Sequence, residues 1–187
     1  MNFNSRSELG ARHAFLSPSS YHWINYDDQK LVARYHAHRA AKRGTDLHEL
    51  AHLAIKLGVR MPRSKDTIAM YVNDGIKWGM SVEVCLYYSV NCFGHADSIS
   101  FARMVLRISD LKTGITSTSV HQLEVYAALF CLEYGRDPYE LDGIELRIYQ
   151  NDDVRLFHGD PHVIAGIMDK IVEFDARIEQ LREEDER

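Results

Sequence analysis

The chain has no apolar run long enough to cross a bilayer. Its opening stretch "MNFNSRSELGARHAFLSPSS" also lacks the uninterrupted apolar core of a secretory signal. A cytoplasmic location, in a bacterial or phage-infected host cell and with no membrane partner, is therefore expected. Cysteine is scarce: Cys85, Cys92 and Cys131 form no CxxC pair, which argues against a disulfide framework and a cysteine zinc site and predicts reduced, half-buried thiols. Positive charge is not in excess. With 22 Lys and Arg against 27 Asp and Glu, the formal charge of −5 argues against a protein that coats nucleic acid by bulk electrostatics. Internal repeats, low-complexity tracts and a linker between domains are all missing.

What is present fits one folded domain spanning residues 1–187: 45% hydrophobic and 26% charged residues over 187 positions can build a sizeable core. "SPSS" at 17–20 supplies cap-type residues for helical segments that continue to Gly44, where a break is expected. Thr45 and Asp46 then cap a second helix in which Leu47, Leu50, Leu53, Ala54 and Leu57 recur at helical spacing before Gly58. A third helix starts at Ser64. From about residue 81 the period changes to "SVEVCLYYSV", "GHADSISFA" and "MVLRISDLK", three consecutive strands broken near Asn91 and Arg103. After "TGITSTS" come an apolar helix, "VHQLEVYAALFCLEYG", and the segments "GIELRIYQND" and "DVRLFHG", which read as one or two more strands. A last helix runs from about Pro161 to the acidic end. The expected fold class is α/β or α+β, with a helical part over 1–80, a partly antiparallel sheet core over 81–160 and a C-terminal helix over 161–187.

Two sets of residues have chemical potential. His48-Glu49-Leu50-Ala51-His52 spells the HExxH signature of zinc peptidases, with both histidines on one helix face and Glu49 available to polarise a bound water. The pentapeptide has no third ligand at the usual downstream spacing, where Gly58 stands. Glu83 lies in a strand pattern, either as an ordinary sheet residue or as a partner of the site. The second set is Asp97 in one strand and Asp110-Leu111-Lys112 at the end of the next, two carboxylates and an ammonium group that can converge. Adjacent carboxylates repel, and magnesium or manganese relieves that cost because both take oxygen ligands. Lys112 can then help deprotonate a nucleophilic water or offset charge on a phosphate. Lys30, Arg34, His36, His38, Arg39, Lys42 and Arg43 form a local basic track that reads either as a solvated helix face or as a path for a phosphate backbone.

"GHAD", "DLK" and "QLEVY", following His48 in that order, resemble the PD-(D/E)XK nuclease superfamily, specifically its RecB-like exonuclease branch. The motifs span residues 44–126, and the predicted elements around them match the α-β-β-β-α-β order of a restriction-endonuclease-like core. The resemblance implies a metal-dependent deoxyribonuclease, an exonuclease of recombination or repair, in a stand-alone form of the phage or mobile-element type. By the same resemblance His48, Asp97, Asp110 and the Leu111 carbonyl would hold magnesium or manganese, and Lys112 would be the catalytic lysine beside Asp97 and Asp110. Gln122 and Tyr126 would face the site, and DNA would run past Arg34, Arg39, Lys42 and Arg43. The implied partners are linear DNA ends, with a homo-oligomer and a recombination protein as further candidates. Relatives that carry an iron-sulfur cluster use four cysteines; three predict no cluster here. The alternatives are a zinc metallopeptidase using His48, Glu49 and His52, and a catalytically silent nuclease-fold DNA-binding protein. Within the nuclease reading His95 beside the GxxD motif, Glu49 and His52 have no assigned role, although His52, one turn from His48 on the same face, is placed to touch the site or DNA.

Overall fold

The structure is a computed structural model that describes residues 14–114 and 119–185. Residues 115–118, expected in a connecting loop, and the N-terminal stretch before residue 14 lie outside the described residues. The chain divides into two compact units, Met1–Thr45 and Asp46–Arg187.

In the first unit a 3-10 segment, Pro18–Asn25, is tied back on itself by Trp23 Nε1, which donates to the Ser17 carbonyl at 3.0 Å. Asp27 then caps helix α1 (Asp28–Leu57), its Oδ1 accepting from the Lys30 N–H at 2.7 Å. The break expected at Gly44 does not occur, and neither does the new start at Thr45 and Asp46. An interior glycine costs only about 1 kcal/mol relative to alanine, which a long helix tolerates. Thr45 Oγ1 lies 3.4 Å from the Ala41 carbonyl, the i−4 bond by which a hydroxyl sits inside a helix instead of capping one.

In the second unit the expected strands form one five-stranded sheet in the order β1 (Ser81–Ser89), β2 (Cys92–Ala102), β3 (Val105–Leu111), β4 (Gly143–Gln150), β5 (Asp153–His158). The first three make an antiparallel meander, β3 pairs parallel with β4, and β4 pairs antiparallel with β5. A parallel pair needs a crossover, and helix α3 (His121–Glu133) lies within it. With helix α2 (Thr67–Lys77) and helix α4 (Pro161–Asp185), this is an α+β protein with a mixed sheet. The start of α2 is set by Asp66 and not by Ser64: the Asp66 carboxylate accepts from the Ile68 and Ala69 N–H groups. The Ser64 hydroxyl accepts from the Asp66 N–H one step earlier.

Apolar layers cover both sheet faces. Leu106, Ile108, Ile144, Leu146 and Ile148 join Leu123, Ala127, Leu129 and Phe130 of α3 and Ile164 of α4 in one core. On the other face Val82, Leu111 and Tyr149 join Ala51, Ala54 and Ile55 of α1 and Tyr71 and Val72 of α2. The leucine stripe expected to bury α1 is on the wrong side, with Leu50, Leu53 and Leu57 all exposed. The buried face of α1 is instead made by Ala51, Ala54 and Ile55, and the Ile55 side chain fills the space over Gly75 of α2, where an added Cβ would fall 2.6 Å from its Cδ1. Among the described residues, no helix is long and apolar enough to cross a membrane.

Candidate active site

One local irregularity shapes the site. Pairing of β1 with β2 runs Val82↔Ser98 and then Val84↔Ala96, passing over Glu83 and Asp97, and Glu83 has φ +53°. A side chain in that left-handed region inside a strand is uncommon and strained. Its effect is visible in the two cores: Val82 belongs to the α1/α2 face, whereas Val84 and Leu86, on the far side of Glu83, belong to the α3 face. Strict alternation would have put all three on one face. The kink turns Asp97 off the ladder, so that its Oδ2 accepts from the Leu111 N–H of β3 at 2.9 Å and lies 3.7 Å from His48 Nδ1 of α1.

On β3, Asp110 and Lys112 share a face by the two-residue period. The ladder continues one step past the strand, with the Lys112 N–H donating to the Tyr149 carbonyl at 2.9 Å, which anchors the lysine backbone to the sheet. Lys112 Nζ then lies 3.0 Å from Asp110 Oδ1 and 3.4 Å from Gln122 Oε1 of α3. Gln122 Nε2 in turn reaches the Tyr126 hydroxyl at 3.4 Å, and that hydroxyl donates to the His95 carbonyl at 2.7 Å. The two chain segments richest in motif residues are thus linked through a single polar chain, Asp110–Lys112–Gln122–Tyr126–His95. It also explains the glycine of GxxD: a Cβ on Gly94 would stand 3.0 Å from Tyr126 Cε1, so only glycine leaves the ring its place. His95 contributes its carbonyl, while its side chain is exposed.

The electrostatics are unbalanced. Asp110 is 4% exposed, and its Oδ2 has no hydrogen-bond partner. Burial and the neighbouring Asp97 carboxylate push its pKa up to about 6, against the opposing pull of Lys112. His52, one turn beyond His48 on α1, is also buried, and neither ring nitrogen is hydrogen-bonded. Its Nδ1 lies 3.5 Å from Glu83 Oε1, a charge contact that does not close as a hydrogen bond. Glu83 itself is drawn below the usual carboxylate range, chiefly by Lys56 Nζ at 3.2 Å. An unpartnered buried polar group costs about 1–3 kcal/mol, and two in one cluster call for a ligand. His48, His52 and Asp97 present ligand atoms within 4.8 Å of one another, a donor group that can hold a metal ion.

Of the expected site residues, His48, Asp97, Asp110, Lys112, Gln122 and Tyr126 come together in the second unit. Leu111 contributes its N–H to Asp97 while its side chain is buried in the α1/α2 core. Arg34, Arg39, Lys42 and Arg43 are exposed on α1 within the first unit, and Glu49 is exposed. Of the three thiols, Cys92 is half-buried as expected, but Cys85 is exposed and Cys131 is buried in the α3 core, because strand and helix faces set their exposure one by one. Two residues whose part in the nuclease reading the sequence leaves open, His52 and Glu83, stand beside the site. The i, i+4 spacing of His52 from His48 is a usable signal. Glu83 has none, since its placement depends on a backbone kink. No family model, no curated protein and no solved structure matches this chain.

Proposed function

We propose that the protein is a metal-dependent deoxyribonuclease of the PD-(D/E)XK type, RecB-like, with a restriction-endonuclease-like core, acting as an exonuclease on DNA ends in recombination or repair. The observation that carries this reading is the buried Asp110 with an orphaned carboxylate oxygen, next to Asp97 and bridged by Lys112 to Gln122. Two carboxylates brought together in a half-buried place are costly without a cation, and the donor set suits magnesium or manganese. His48, Asp97, Asp110 and the Leu111 carbonyl would hold the ion. When bound, such an ion neutralises phosphate charge and acidifies a water molecule.

The remaining work falls to the chain itself. Lys112, held between Asp110 and Gln122, presents an ammonium group to a phosphate oxygen or takes a proton from the attacking water. Gln122 and Tyr126 restrict the lysine and offer polar contacts to a DNA strand. The exposed Arg34, Arg39, Lys42 and Arg43 carry charge suited to phosphates, with linear DNA as the partner and an oligomer or a recombination protein as its holder. The test is a time course on end-labelled linear and circular DNA with magnesium or manganese. Linear DNA should be degraded, and Lys112→Ala and Asp97→Ala should lose activity at least ~100-fold. Variants as active as the parent would sink the reading, and DNA binding without cleavage under any metal would favour a silent nuclease fold.

A zinc peptidase is the second reading, favoured by the grouping of His48, His52 and Asp97. It requires Glu49 as general base. Hydrolysis of casein by zinc-loaded protein, lost in Glu49→Gln, would establish it; DNA cleavage that persists in Glu49→Gln removes it.

A further inference from the structure

We infer that His52 is an additional metal ligand, held by Glu83, and that the resulting pair of imidazoles makes the centre selective for a first-row transition ion over magnesium. The inference rests on the metal-dependent reading above and concerns which ion that centre prefers.

Four observations point the same way. His52 is 5% exposed and neither ring nitrogen makes a hydrogen bond, so its imidazole has been taken out of water without a bond to replace those it loses. Its ligand atom belongs to the same close group as those of His48 and Asp97. The rings of His48 and His52 are edge to face, 5.9 Å between centroids, and the buried Tyr71 ring packs against His52 at 6.2 Å, so two rings restrict the imidazole. Finally, Glu83 adopts its strained backbone at the one place in β1 that brings its carboxylate to His52 Nδ1. A carboxylate beside one ring nitrogen is the usual way to fix the tautomer of a metal-bound histidine: the proton stays on the carboxylate side and the other nitrogen keeps its lone pair. Lys56 Nζ, 3.2 Å from Glu83 Oε2, ties the carboxylate back to α1. Each part has a separate ordinary explanation, but together they describe a ligand with its supporting partner.

The chemical consequence is selectivity. A site made only of carboxylate and carbonyl oxygens suits magnesium, whereas each added imidazole moves the preference toward the first-row transition ions. With His48 and His52 beside Asp97, Asp110 and the Leu111 carbonyl, two of the five donors would be nitrogen.

The experiment is equilibrium dialysis of the whole chain against Mn²⁺ and, separately, Mg²⁺. The parent protein should bind Mn²⁺ at least ~10-fold more tightly than Mg²⁺, and His52→Ala should weaken Mn²⁺ at least ~10-fold while moving Mg²⁺ less than ~3-fold. Because His52 is buried and its removal can unfold α1, the exposed Glu83→Gln serves as the second variant and should weaken Mn²⁺ by about 10-fold. Electron spin-echo spectra of the Mn²⁺ protein should carry ¹⁴N couplings from two imidazoles, falling to one in His52→Ala. Equal affinity for both ions, binding of neither, an unchanged Mn²⁺ to Mg²⁺ ratio in both variants, or a parallel weakening of both ions overturns the inference. The two readings fail separately. Mn²⁺ bound through His52 with no DNA cleavage removes the nuclease and leaves this site; DNA cleavage with a ratio indifferent to His52 does the reverse.

Discussion

At the scale of single residues, the motif positions act through one another. Tyr126 reaches the His95 carbonyl only because Gly94 has no side chain, so Gly94→Ala pushes the ring by a few tenths of an ångström and loosens the Gln122–Lys112 arm behind it. If the chain cleaves DNA as proposed, Gly94→Ala and Tyr126→Phe should each lower kcat by about tenfold, a small misplacement of a positioned group. The double variant should be little slower than either alone, since both act on one hydrogen bond; full additivity would separate the two residues. Elsewhere Glu145 sits between Arg107 at 3.0 Å and Arg147 at 2.6 Å, with the Arg147 guanidinium 4.0 Å over the Trp78 ring. Burial alone would raise the Glu145 pKa, but the two guanidinium groups outweigh it and hold the carboxyl below its usual 4.5. A depressed carboxyl contributes stability that is present above the unfolded value and is lost as pH falls through the folded one. Glu145→Gln should therefore be less stable by about 1–3 kcal/mol in urea at pH 7. Below about pH 4.5, the ordinary carboxyl value, the gap should close; a gap that persists or widens at low pH contradicts the assignment.

At the scale of elements, the type and order of helices and strands are readable because period two and period 3.6 are written in neighbouring side chains. The three-strand meander and helices α3 and α4 appear where the pattern puts them, the stretch that reads as one or two strands resolves into β4 and β5, and α2 starts at Thr67 instead of Ser64. What the pattern misses are decisions that a neighbour makes. Gly44 carries a breaker signal that the continuous α1 overrides, and α1 buries Ala51, Ala54 and Ile55 while Leu50, Leu53 and Leu57 stay exposed. Close approach can be tested at two glycines. A Cβ on Gly159 meets Ile144 Cγ2 at 2.6 Å and Cβ at 3.0 Å, atoms fixed near the β4 backbone, while on Gly75 it meets the movable Cδ1 end of Ile55. Overpacking costs about 1–3 kcal/mol, and in a helix alanine recovers about 1 kcal/mol relative to glycine. Gly159→Ala should thus lower the urea midpoint clearly more than Gly75→Ala, and the opposite order would show that Ile55 is the less mobile side chain.

At the scale of the whole molecule, charge is unevenly placed: the chain is acidic overall, yet Arg34, Arg39, Lys42 and Arg43 lie together on one exposed helical stretch. If these neutralise phosphates, their joint replacement by alanine in a Lys112→Ala background should flatten the salt dependence of DNA binding. The log–log slope should fall by about 0.9 for each phosphate no longer neutralised. An unchanged slope places the DNA elsewhere. The order of elements, and the candidates Asp97, Asp110 and Lys112, are legible in the residues alone, because they depend on local period and on chemistry carried within short motifs, whereas Gln122 and Tyr126 are singled out only by the family resemblance. Packing in three dimensions settles the rest: α1 runs through Gly44, Asp97 turns off its ladder, and His52 and Glu83 stand beside His48. A strained φ at Glu83 and a helix approach at Gly75 are set by contacts between segments far apart in the chain, and such contacts leave no periodic trace in either segment.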